Sequence, residues 1–116
     1  MSPDNTNGAD CYLVYVTVAS ADDARGIATM VVKERLAACA NILGPVESIY
    51  WWKDKMETSS EVSLVLKTTG DHVERLVQRI VALHSYDCPC VVALPIQAGH
   101  EPFLQWIRAE VGGSDR

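Results

Sequence analysis

The sequence has no cluster of lysines and arginines, no CxxC pair, and no apolar stretch near the ~20 residues that a bilayer span needs. Each absence closes off a class. With no basic run and a formal charge of −5, the chain has little to neutralise a phosphate backbone, so no nucleic-acid partner is expected. With no long apolar run, no membrane span is expected. Residues 1–10 lack both a basic segment and an apolar core, so they read as a disordered polar tail and not as a secretory signal. The cytoplasm is then the expected compartment. There the four cysteines, Cys11, Cys39, Cys88 and Cys90, are expected as free thiols, and their spacing is not that of a zinc ribbon. P-loop, GxGxxG, GxSxG and HExxH patterns are missing too, which leaves no enzyme signature.

What is present is an ordinary globular balance, 48% hydrophobic and 22% charged over 116 residues, enough for a single domain over residues 11–112. Cys11 to Val18 is rich in β-branched and aromatic residues and reads as a strand. Its near-continuous apolarity suggests burial on both faces. Ser20 begins a helix with Ala24, Ile27, Ala28 and Val31 at helical spacing, ending near Leu36. Cys39 to Ile42 is a short extended run broken by Gly44-Pro45, and Val46 to Trp52 continues as strand. Lys53-Asp54-Lys55 is a polar turn. A second strand follows, clearest over Glu61 to Thr68, with Val62, Leu64 and Leu66 on one face and Ser63, Val65 and Lys67 on the other. These two segments make a long antiparallel hairpin.

Asp71 reads as the cap of the next helix, where Val73, Leu76, Val77, Ile80 and Val81 give the clearest amphipathic pattern in the chain. Residues 85–89 form a loop. Val91 to Ile96 is another strand, and Pro95 argues for an edge or a strand end. Pro102 opens a last helix whose apolar stripe is Phe103, Trp106, Ile107 and Val111, and Gly112-Gly113 ends it. The order is β-α-β-β-α-β plus a helix: an α+β, ferredoxin-like βαββαβ sandwich with a long β-hairpin and an extra C-terminal helix. Right-handed crossovers put both main helices on one face of the sheet. The other face is then uncovered, although Leu13 and Tyr15 alternate with Val14 and Val16. Oligomerisation is the economical cover. Tyr50, Trp51 and Trp52, at the end of the hairpin, are the aromatic candidates for that interface.

The stretch ERLAACANI from Glu34 to Ile42, SIYWW from Ser48 to Trp52, the strand Glu61 to Thr68, and ALPI from Ala93 to Ile96 followed by Gly99 and Trp106-Ile107 resemble the CutA family of divalent-cation tolerance proteins. They occur in family order and spacing, over roughly Tyr12 to Val111. The resemblance implies a ferredoxin-like subunit, a tightly packed homotrimer, kinship with PII signal transducers, and a link to copper and other divalent metals. It implies no established reaction and no obligatory cofactor. The copper ligands proposed for the family are a cysteine near the end of the first strand and a His-His pair after the second main helix. Those positions read Val16, Leu83 and His84 here, so His84 alone is retained.

A local metal set is also visible. His84, Cys88 and Cys90 lie across one loop, and thiolates with imidazole suit Cu(I) or Zn(II). Against it, extended geometry at Cys88-Pro-Cys90 is taken to send the two sulfurs apart. The structural alternative has Cys90 packed at the start of a buried strand and Cys88 in a turn. Cys39 reads as a small core residue, His72 as solvent-facing, His100 as a surface residue, and Glu57 and Glu61 as solvated carboxylates. Lys67 is either a side chain snorkelling from a sheet edge or a charge lining an intersubunit cleft for a small anion. The expected function is therefore a homotrimeric divalent-cation (copper) tolerance protein that binds metal ions without catalysis. The alternative is a PII-like sensor or scaffold that binds an anion or a partner protein.

Overall fold

The computed structural model describes residues 10–112, so most of the expected tail lies outside the described residues. Asp10 is tied down: Arg108 donates to its carboxylate at 2.7 Å, and its carbonyl accepts the Gly70 amide at 2.8 Å. The elements run β1 (Cys11–Val18), α1 (Ala21–Lys33), β2 (Cys39–Trp52), β3 (Lys55–Thr69), α2 (Val73–Leu83), β4 (Val91–Pro95) and α3 (Glu101–Glu110). The four strands form one antiparallel sheet in the order β2-β3-β1-β4. This is the expected α+β, ferredoxin-like arrangement.

Alternation along the strands sorts the two faces. Val14, Val16, Leu64 and Leu66 point to the helices and are fully buried against Ala24, Ile27, Ala28 and Val31 of α1 and Leu76 and Ile80 of α2. Burying each large apolar side chain stabilises the subunit by about 1.5–3 kcal/mol. Ser20 caps α1, its hydroxyl accepting the Asp23 amide at 3.1 Å. The helix stops at Lys33, short of Leu36, and Arg35 turns the chain in the left-handed region at φ 64°. Its carbonyl accepts the Gly112 amide at 2.8 Å, which joins this turn to the end of α3.

Four local expectations change. Gly44-Pro45 does not break the strand. The sheet absorbs it as a bulge between Ile42 and Gly44, with Gly44 at φ 115°, a conformation that glycine takes without steric cost. Asp71 does not cap α2. A 3-10 turn over Gly70–His72 precedes the helix, and the Asp71 carboxylate accepts from the Thr69 hydroxyl at 2.7 Å. His72 is largely enclosed, its ring against Thr69, Asp71 and Gly112. In α3, Leu104 and Ile107, with Val111 just beyond, face inward onto Cys11, while Phe103 and Trp106 turn outward.

The hairpin outgrows the sheet. β1 pairs with β3 only from Val62 to Thr69, so Lys55 to Glu61 has β2 as its one strand partner among the described residues. Lys53 and Asp54, at φ 52° and 67°, form the left-handed pair that a two-residue hairpin turn needs.

Candidate functional site

The face of the sheet opposite α1 and α2 carries the residues of interest. α3 covers it only at one end, over Cys11. In the middle, Val92 and Leu94 of the edge strand β4 are each 50% exposed. At the other end, Tyr50 and Trp52 share this face, and Trp51, 73% exposed, points to the opposite one beside Ile49 and Met56. Water therefore meets apolar side chains on both sides of the projecting hairpin.

The loop after α2 folds across this face and closes one side of a hollow of about 590 Å³. Its walls come from four elements: Tyr15 and Thr17 of β1, Ser48, Tyr50 and Trp52 of β2, Ser59 and Glu61 of β3, and Tyr86 to Cys88 with Cys90 from the loop. His84 pins the loop in place. Its Nε2 lies 2.7 Å from the Thr17 carbonyl, and its Nδ1 accepts the Tyr86 amide at 3.1 Å. Since a carbonyl only accepts and an amide only donates, the ring is the neutral Nε2–H tautomer with both nitrogens engaged.

This separates the expected metal set. His84 has no lone pair left for a metal, and among the described residues no group of three histidine, cysteine or acidic side chains is placed to hold one. Cys88 and Cys90 behave differently. Both are exposed free thiols, and both line the same hollow. Positions i and i+2 of an extended chain share a side, so the geometry brings the two thiols to one wall and does not send them apart. Cys90 lies on the open side of the sheet and is not packed in the core. Cys39 is half-buried, and Cys11 is buried, its thiol raised by that burial and by the charge of Asp10.

Lys67 is on the same face but at the α3 end, bonded to the Asn41 side-chain oxygen and 5.9 Å above the Phe103 ring. An anion would have to compete with both contacts.

Glu61, expected as a solvated carboxylate, is buried instead. It is only 9% exposed, and it accepts a hydrogen bond from Ser48 at 2.5 Å. The Tyr86 phenol is pushed up to about 12, first by burial and then by its hydrogen bond to Glu61. The signal lay in the alternation: Glu61 shares a face with Ser63 and Val65, so the loop that roofs this face buries it.

The comparisons with known proteins agree with this architecture. The family model described as CutA1 divalent ion tolerance protein matches residues 12–110. The chain is 43% identical over 100 residues to the divalent-cation tolerance protein CutA of Thermus thermophilus, covering 86% of this chain and 97% of that one. It is 40% identical over 96 residues to the chloroplastic protein CutA 1 of rice, covering 83% of this chain but 54% of that one, so it spans about half the length of this plant relative. The solved structure of the Thermus thermophilus divalent cation tolerance protein superposes with a TM-score of 0.85 at 42% identity, over 88% of this chain and 99% of that one. With a family model matching nearly the whole described chain and a full-length relative at this identity, the chain belongs to the CutA1 divalent ion tolerance protein family.

Proposed function

We propose that this chain acts as a homotrimer in divalent-cation tolerance, binding copper or a similar metal ion weakly and catalysing no reaction. The observation that carries the reading is the uncovered sheet face. Val92, Leu94, Tyr50 and Trp52 lie on it, and Ile49, Trp51 and Met56 extend the apolar surface over the back of the hairpin. Such a surface stays in water only at a cost, and neighbouring copies packed head to tail around a threefold axis are an economical cover. The free edges of β2 and β4 add unpaired backbone groups that a neighbouring strand can satisfy. Tyr50, Trp51 and Trp52 are the interface aromatics in this reading.

For the metal, the dithiol wall of Cys88 and Cys90 is the favoured site, with His84 keeping the loop in place and not ligating. Thiolates select soft ions such as Cu(I), and also take Zn(II). Two thiolates without a third protein ligand make a weak site, which fits tolerance better than permanent loading. The cytoplasm remains our proposed compartment; no helix among the described residues is long and apolar enough to cross a membrane.

Equilibrium copper titration with mass measurement of the intact assembly tests the reading. A three-chain assembly that takes up copper, less so as Cys88→Ala or Cys90→Ala, supports it. An assembly that takes up none, or whose uptake ignores both variants, refutes the metal site.

A further inference from the structure

Glu61 has no counter-charge in its own chain. A carboxylate nine-tenths removed from water normally sits beside a cation, because the hydration it gives up is large. The ion pairs of the described residues involve Asp10, Asp22, Glu34, Asp71, Glu101 and Glu110, and none involves Glu61. Its hydrogen-bond partners, Ser48 and Tyr86, are neutral hydroxyls, and two donors leave part of a carboxylate's acceptor capacity unused. No lysine or arginine lines the hollow around it, and Asp87 adds negative charge there.

A matching cation stands at the far end of the same hairpin. Arg25, Arg35, Arg79 and Arg108 are ion-paired in their own chain, and Lys67 is bonded to Asn41. Lys33 and Arg75 lie on α1 and α2, on the other side of the sheet. Lys53 and Lys55 are exposed at the hairpin tip and enter no ion pair of the described residues. Lys53 lies 5.7 Å above the ring of its own Trp52. Lys55 pairs across the hairpin with Trp52, so it shares the open face of the sheet, the side that carries Glu61. Glu61 follows Lys55 by six positions, about 20 Å along a strand, which is further than a lysine side chain reaches. The two charges cannot meet within one chain, but the tip of one copy and the hairpin base of another can bring them together.

We propose that the hairpin tip of each copy docks on the open sheet face of the next, with Lys55 of one copy pairing with Glu61 of its neighbour. This pairing rests on the three-chain assembly proposed above and sets its direction. The cation at the tip and the carboxylate at the base are different patches of one chain, so the contact is head to tail, and a ring of three closes with three such pairs. Tyr50 and Tyr86, which line the hollow with Glu61, offer aromatic surface to the incoming ammonium. The hollow is then a socket between subunits, filled by the neighbouring copy.

Sedimentation of the full chain tests the pairing, at the urea concentration where the wild-type three-chain species is half dissociated. Lys55→Gln should raise the apparent dissociation constant there by about tenfold or more, with an unchanged circular dichroism spectrum in the absence of urea. Lys33→Gln, the same charge change on the helix side, should leave the constant at the wild-type value. Lys55→Glu and Glu61→Lys should each weaken assembly further, and the two together should restore it to within about tenfold of the wild type. A wild type that sediments as a single chain removes the assembly, and the pairing with it. A wild type that assembles while Lys55→Gln dissociates like Lys33→Gln overturns the pairing alone. So does a folded double reversal that assembles no better than either single change. If the Glu61 variants do not fold, Lys55→Gln, a change at an exposed position, still decides the matter.

Discussion

The imidazole of His84 donates to the backbone carbonyl of Thr17 at 2.7 Å, across 67 positions of sequence, and this one bond fixes the loop that roofs the open face of the sheet. Its other nitrogen accepts the Tyr86 amide, so the ring is a structural bracket between β1 and the loop. The family position that reads as a metal ligand in sequence is here spent on holding the wall of a hollow.

Removing that bracket should cost stability and spare metal binding. His84→Ala leaves the Tyr86 amide and the Thr17 carbonyl without partners, at a cost of about 1–3 kcal/mol in denaturant unfolding. Copper bound per chain should stay at the wild-type level. A variant as stable as the wild type that has lost copper would reverse the assignment.

The cysteines should divide by accessibility. Cys88 and Cys90 are exposed and should react with a thiol reagent in the native protein, whereas Cys11 is buried beneath α3 and its thiol is raised by burial. Reaction at Cys11 is expected on the order of 100-fold more slowly, and at the fast rate only after unfolding. Peptide mapping of the labelled chain reads the order directly.

Tyr86 should carry an alkaline pH dependence. In the folded chain its phenol holds its proton to about 12, whereas the unfolded phenol releases it near 10.0. The unfolded state therefore loses the proton first. This group's contribution is fully present below about 10 and falls away as pH rises towards about 12. A late-ionising step should appear by ultraviolet absorbance, and Tyr86→Phe should remove that step together with its share of the stability loss.

Core and hairpin substitutions should separate folding from assembly. Leu64 is fully buried between the sheet and the helices, so Leu64→Ala should destabilise by about 2–5 kcal/mol. Trp51 is 73% exposed on the projecting hairpin, so Trp51→Ser should leave the subunit fold intact by circular dichroism and weaken the assembly.

Much of this architecture was legible in the sequence because it follows from periodicity. The alternation of Val62, Leu64 and Leu66 with Ser63, Val65 and Lys67 fixed the faces of β3, and the spacing of Ala24, Ile27, Ala28 and Val31 fixed the buried side of α1. Pro95 ends an edge strand, as its missing amide requires. Local signals failed where tertiary contacts competed with them. Gly44-Pro45 looked like a break because a bulge is not visible until the partner strand is known. In the stripe of α3, Ile107 and Val111 face inward as expected, but Leu104 and not Phe103 or Trp106 joins them on Cys11, because the helix is rotated to fit that contact.

The site was only half legible. Cys88 and Cys90 were visible as thiols, but their common wall depends on the path of the loop. The roles of His84 and Glu61 depend on contacts with Thr17 and Ser48, residues distant in sequence. Nothing in the local pattern distinguishes a ligating imidazole from a bracing one. A carboxylate roofed by a distant loop reads as solvated until that loop is placed.

In the proposed trimer the open sheet face and the hairpin of one chain are covered by other copies of the same chain. Sedimentation equilibrium at low micromolar concentration tests it most directly. One species with the mass of three chains is expected. A stable, folded single chain of 12.7 kDa at that concentration would contradict it.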